Sequence, residues 1–189
     1  MLATLVAMLL TPLEYSVFFG VAVSLLLYVW SSAQGLQVRQ LVQATEGGFR
    51  EEALPSTLPA GRPLVVSVAG NLYFAAVPLL EEQLPQPGQD CQRPVVVLRL
   101  RGNLYLGSTG ICFLRDYARK LEEAGGRLLL AGLSQDVHNQ LERSGELARL
   151  KPVFPAEAVV FAATRRALAW AEAWLQQERP GFRDWQTGT

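Results

Sequence analysis

Basic side chains are missing from the first 38 residues of this chain; the first is Arg39. Between Met1 and Trp30 the only charged residue is Glu14. That excludes a secretory leader of the usual kind, which opens on positive charge and ends at a small-residue cleavage site. Histidine is nearly absent too. His138 is the only one among 189 residues, so a metal site would have to do without a second, and a helix-surface position is the ordinary expectation for it. The two cysteines, Cys91 and Cys112, make neither a disulfide framework nor a zinc pattern, and a reduced compartment is the simpler reading. No Gly-x-x-x-x-Gly-Lys occurs, which removes the P-loop. With 17 basic and 17 acidic residues the formal net charge is zero, an argument against nucleic acid as a partner. No cluster of four Lys or Arg follows the apolar start, so an electrostatic lipid anchor is not indicated. No catalytic constellation emerges. The expectation is a protein that is not an enzyme, with no metal and no cofactor.

What is present begins with oil. Two apolar runs, Leu2–Leu10 and Leu13–Trp30, are separated by Thr11-Pro12. A membrane-crossing helix needs about 20 apolar residues. Pro12 breaks or kinks a helix and pushes the residue before it out of helical geometry. The reading is a transmembrane segment over 1–30: a half-span at 2–11, a reversal at Thr11–Glu14, and a full span at 14–30. Glu14 then sits in the turn near water, and Tyr28 and Trp30 fall where interfacial aromatics belong. Arg39, Arg50 and Arg62 all follow the span, which places the C-terminal side in the cytoplasm of a plasma (bacterial inner) membrane. A half-span is most simply the remainder of a larger set of spans.

Residues 31–61 read as a connector containing a hairpin. Leu36, Val38, Gln40 and Val42 alternate against Gln37, Arg39, Leu41 and Gln43, and Glu46-Gly47-Gly48 offers the turn. The globular domain spans 62–178. Strands are expected at Leu64–Ala69, resuming at Leu72–Phe74 after a Gly70-Asn71 turn, and at Val95–Arg101, Arg127–Leu133 and Val159–Ala163. Helices are expected at Pro78–Leu84, from the Gly107–Gly110 loop to Ala124, from a Ser134 cap to Arg143, and from a Thr164 cap to Glu178. Gly125-Gly126 and Ser144-Gly145 supply the helix stops. Ile111, Leu114, Ala118, Leu121 and Ala124 share one face, with Cys112 beside it as a small buried hydrophobe. Ala167, Leu168, Ala171, Trp174 and Leu175 form the last apolar stripe. Leu98, Leu114, Leu121, Leu129 and Leu130 are the expected core. This alternation predicts an α/β domain with a mixed, partly parallel sheet flanked by helices, and 179–189 is a tail.

The order of elements resembles the sulfate permease (SulP) family of inorganic anion transporters, over its last span or two and its cytoplasmic STAS domain. The matching stretches are Pro12-Leu13-Glu14-Tyr15 through Gly20-Val21-Ala22-Val23-Ser24, then Val68-Ala69-Gly70-Asn71-Leu72-Tyr73-Phe74-Ala75. They continue with Val95–Gly102, Gly107-Ser108-Thr109-Gly110, and Leu121–Leu133 with its Ala-Gly-Gly turn. The resemblance implies the C-terminal fragment of a secondary anion transporter of the sulfate or bicarbonate type, not transport-competent alone. Its STAS domain would be regulatory. The implied partners are the rest of a membrane domain or a second copy as a homodimer, and a cytoplasmic regulatory protein. The alternative is a membrane-tethered STAS signalling module that binds a protein partner, as anti-sigma-factor antagonists do.

Ser108 matches the phosphorylated serine of those antagonists, whose motif reads Asp-Ser-Ser/Thr-Gly; here Gly107 replaces the Asp. A loop running into a helix N-terminus welcomes phosphate. The plainer expectation is that Ser108 or Thr109 is the helix N-cap. Arg99 and Arg101 share one strand face and are candidates for contact with an acidic partner or phosphate. A solvated face is the plainer expectation for them as well.

Overall fold

The computed structural model describes residues 13–33, 37–44, 48–70, 77–88, 91, 93–101 and 106–177, leaving aside the side chains of 13, 14, 16, 29–33 and 101. The half-span 2–11, the strand resumption at Leu72–Phe74 and the tail 179–189 lie outside these residues. So do Thr11 and Pro12 of the expected reversal, Glu46 and Gly47 of the hairpin turn, and Asn71 of the Gly70-Asn71 turn. The chain divides into two compact units, Met1–Gly35 and Leu36–Thr189.

The first unit contributes helix α1, Leu13–Ala33, of 21 residues, about 31 Å long at 1.5 Å per residue. Its large apolar side chains are exposed all round, among them Tyr15, Phe18, Leu25, Leu26 and Tyr28. Among the described residues no helix is long and apolar enough to cross a membrane. The helix coincides with the residues of the span expected over 14–30, but it does not by itself make a membrane crossing, and a membrane role for it is only proposed below.

The second unit is built on six strands: β1 Gln37–Gln43, β2 Phe49–Glu52, β3 Leu64–Ala69, β4 Val95–Arg101, β5 Arg127–Leu133 and β6 Val153–Pro155. Their order is β2-β1-β3-β4-β5-β6. β1 runs antiparallel to β2 and β3, while β3 to β6 are mutually parallel. The mixed sheet is as expected, and the strands of the hairpin lie in it. Gln37 pairs with Ala69 and Gln40 with Val66, so β1 and β2 belong to the sheet of the compact unit Leu36–Thr189.

Four helices cover the sheet: α2 Val77–Gln83, α3 Ser108–Glu123, α4 Gln135–Arg143 and α5 Ala162–Gln177. The first three pack on one face, where Leu80, Leu114, Tyr117, Leu121 and Leu141 meet Val66, Val96, Leu98, Leu100 and Leu130. Among the described residues α5 is the helix on the other face, with Ala163, Ala167 and Ala171 against Val65, Val95, Val97, Leu129 and Ala131. Central parallel strands are buried on both faces, which is why Val95–Leu98 reads as an unbroken apolar run. Leu98, Leu114, Leu121, Leu129 and Leu130 are all 0% exposed.

Local chemistry sets the boundaries. α3 stops where the Gly126 N–H donates to the Leu121 carbonyl at 2.7 Å and the Gly125 N–H to Glu122 at 2.9 Å. Gly125 takes φ 69°, the left-handed close of a Schellman motif. A side chain at Gly126 would collide with the Pro94 carbonyl oxygen. α4 opens on Ser134, whose Oγ accepts the Val137 N–H at 3.4 Å, and Gly145 follows it at φ 75°.

Three expectations are corrected. The last strand is Val153–Pro155, paired with β5 through Leu130↔Val153 and Ala131↔Phe154; Val159 and Val160 are 62% and 66% exposed. Two adjacent valines favour extended backbone, but the sheet edge was already filled by a segment that buries Phe154. Thr164 lies inside the first turn of α5 and is buried, because the helix starts two residues earlier, where the Arg165 N–H reaches the Phe161 carbonyl at 2.9 Å. Cys112 is exposed rather than buried, since Phe113 and Tyr117 take up that side of the apolar face.

Candidate functional site

The carboxyl ends of β3, β4 and β5 all lie at one end of the sheet, as in other parallel arrangements where ligands and partners gather. The helices that follow β4 and β5 begin there. α3 starts with Gly107 at the cap position, φ −66° and ψ 170°, and no side-chain cap hydrogen bond. Ser108 is thus the first helical residue and Thr109 the second, both exposed. The cap expected of these hydroxyls is corrected: the extended backbone required at a cap falls on Gly107, which glycine accepts readily. The first N–H to find an intrahelical acceptor is Ile111, bonded to Gly107 at 3.1 Å. Those of Ser108, Thr109 and Gly110 precede it and point outward with the positive end of the helix.

Arg99 does not stand on a solvated face. Its Nη1 donates to Ser67 Oγ at 3.4 Å, and its guanidinium carbon lies 4.5 Å from the centre of the Phe161 ring. Ser67 is itself buried. Gly132 takes φ 72° at an irregularity in β5, and a side chain there would sit 3.8 Å from the Arg99 stem. Phe161 takes φ 67° and also meets Phe49, ring centres 5.0 Å apart. Arg99 is therefore held within the domain beneath the start of α5. Arg101 closes β4 opposite Ala69; its side chain is outside the described set.

Other polar side chains are enclosed by the domain or bonded to its backbone. Burial pushes the Cys91 thiol up in pKa, and its Sγ donates to the Leu58 carbonyl at 3.4 Å. The Tyr117 hydroxyl donates to Pro85 at 2.8 Å, and burial raises its pKa as well. His138 is half-buried, not on the open surface, with Nδ1 enclosed and unpartnered. Among the described residues no group of three His, Cys, Asp or Glu is arranged to hold a metal. A groove of about 680 Å³ lies against Gln86, Cys91, Arg93 and Lys120, at the opposite end of the sheet from Ser108.

Residues 55–159 match the STAS domain family. The chain belongs to that family. No curated protein matches it significantly. Among solved structures it is similar to the murine Solute Carrier 26 family member A9 anion transporter in the inward-facing state, at TM-score 0.65 and 19% identity over 90% of this chain. A second structure, of SLC26A9, gives TM-score 0.64 and 16% identity over 93%. At such identity the likeness carries the fold. The STAS chain spans only 27% and 30% of those two chains. Both agree with the SulP resemblance read from the sequence. What sequence reading missed is the Arg99–Phe161–Phe49 stack. Its signals were a hydroxyl, Ser67, inside an apolar strand and a glycine, Gly132, inside another, the mark of a bulge or close approach.

Proposed function

We propose that this chain is the C-terminal part of a SulP-type secondary anion transporter, comprising a membrane span over α1 and a cytoplasmic regulatory STAS domain. The observation that carries this is the adjacency of the two units: three residues, 34–36, separate an apolar helix from the first strand of a STAS sheet. A helix apolar all round is at home in hydrocarbon, and the sequence from 14 to 30 holds no charge but Glu14. The basic residues beginning at Arg39 favour a cytoplasmic C-terminal side. Fold likeness to two anion-transporter chains over 90% and 93% of this chain supports the same reading. A span and a half cannot replace an anion's hydration across about 30 Å of hydrocarbon, so transport belongs with further spans in the same assembly. The regulatory face we assign to the start of α3, where exposed Ser108 and Thr109 offer hydroxyls beside outward N–H groups for phosphorylation or partner contact.

Two measurements test this. Alkaline carbonate extraction should leave the chain in the membrane pellet; recovery in the supernatant refutes the span. Liposomes holding this chain alone should take up no sulfate or bicarbonate above empty liposomes, and saturable uptake refutes its role as a non-transporting part.

A further inference from the structure

From the last residue of β6 into the loop that leads to α5, the chain is exposed at every residue from 155 to 160, Pro-Ala-Glu-Ala-Val-Val. Five of these six side chains are apolar. The sixth, Glu157, is paired with Arg166 Nη1 at 2.6 Å, so the loop presents a nearly neutral aliphatic tip. Runs of consecutive exposed apolar residues are unusual on a soluble surface and mark contact sites. This one is also tied down at both ends. The Ala156 N–H bonds to the Leu133 carbonyl at 2.8 Å, the Ala162 N–H closes onto Val159 at 3.1 Å, and Phe161 is clamped between Arg99 and Phe49. A pre-ordered tip loses little conformational freedom on docking.

The topology says which end of the domain bears it. β6 runs parallel to β5, β4 and β3, so the loop leaves from their carboxyl ends. β1 runs antiparallel to β3 with Gln37 opposite Ala69, so the strand that follows α1 in the chain starts at that same end. We propose that loop 155–160 is a lipid-contacting tip: Val159 and Val160 enter the headgroup–acyl boundary, with exposed Arg165 toward anionic headgroups. The inference rests on α1 being a membrane span. Two valines bind a bilayer weakly by themselves, but a membrane-anchored chain raises their effective concentration at its surface. Lipid fits this tip better than a protein partner. It offers no aromatic or arginine anchor among 155–160, and such anchors dominate protein–protein contacts.

The test uses the full chain, Cys112→Ser, in vesicles of phosphatidylcholine and phosphatidylglycerol. An NBD fluorophore is placed on Val160→Cys or, at the far end of the sheet, on exposed Glu123→Cys; the unsubstituted Cys112→Ser chain reports any labelling of Cys91. The expected result is a blue-shifted emission at 160 that loses intensity when lipid spin-labelled near the headgroup is added, with no such loss at 123. Equal quenching at both positions, or none at 160 while the chain resists carbonate extraction, overturns the inference and leaves the span intact. Shielding of the 160 label from aqueous iodide without quenching by lipid assigns the tip to a protein surface and also overturns it. Release of the chain by carbonate overturns the span and the lipid tip together.

Discussion

The two faces of the STAS sheet are sealed by different means. On one, three helices interdigitate large aliphatic side chains, and buried Tyr117 places its hydroxyl on the Pro85 carbonyl. On the other, a single helix among the described residues does the covering, with alanines at 163, 167 and 171 packed against Val97 and Leu129. One helix is too narrow for six strands, and its margins are closed by arginines laid on aromatic rings. Arg93 lies 4.6 Å from the Trp174 ring centre, Arg127 5.9 Å from Trp170, and Arg99 4.5 Å from Phe161. Such pairs cover apolar surface with the arginine stem while the guanidinium rests on the ring face. The lesson is that helix number is not what buries a sheet. Small residues beneath the helix and amphipathic ones at its edges substitute for further layers.

The comparison breaks most visibly in the core. Leu130→Ala on the three-helix face and Leu129→Ala on the single-helix face should each cost about 2–5 kcal/mol, the range for deleting a buried leucine. Urea melts of the domain from Leu36 onward would check it. A much smaller loss for Leu129 would mean that the single-helix face is loosely packed. Ala171→Leu should cost about 1–3 kcal/mol, because a helix lying close on its alanines has no room for added methylenes. A neutral result would show slack beneath α5.

Alkaline pH sharpens the contrast. The folded pKa of Tyr117 is raised by burial above its unfolded value of about 10. The native state therefore keeps the proton longer, and stability present below pH 10 is lost as pH climbs past it. Tyr117→Phe should flatten that slope in melts between neutral and alkaline pH. Arg99→Ala, on the other face and away from Tyr117, should leave the slope unchanged.

The smallest effects separate two helix starts. Ser134→Ala should cost about 1 kcal/mol, since its Oγ caps α4. Ser108→Ala should cost under about 0.5 kcal/mol, because Gly107 holds the cap of α3. Parallel thermal melts decide it, and equal losses would restore Ser108 to a capping role. Ser108→Asp should likewise leave the melt nearly unchanged while altering partner binding.

Periodicity and punctuation carried most of the domain. Val95–Arg101 and Arg127–Leu133 are strands because unbroken β-branched and leucine runs suit a sheet buried on both faces, and Gly125-Gly126 stops α3 because left-handed backbone is easy only for glycine. The apolar first thirty residues, the mixed sheet and the core leucines are likewise local or compositional facts. Tertiary structure alone decided where competing local preferences cancel. Val153–Pro155, not Val159–Ala163, took the sheet edge because burying Phe154 against β5 outweighed the extended preference of two valines. The hairpin joined the sheet because β1 could satisfy the open edge of β3. Gly107, not Ser108, took the cap of α3, and the two hydroxyls beside it carry no local signal of which residue turns extended. Arg99 was drawn under α5 by Phe161, 62 positions away in the chain. Contacts at such separation leave no period or spacing in the sequence, since only the folded sheet brings their partners together.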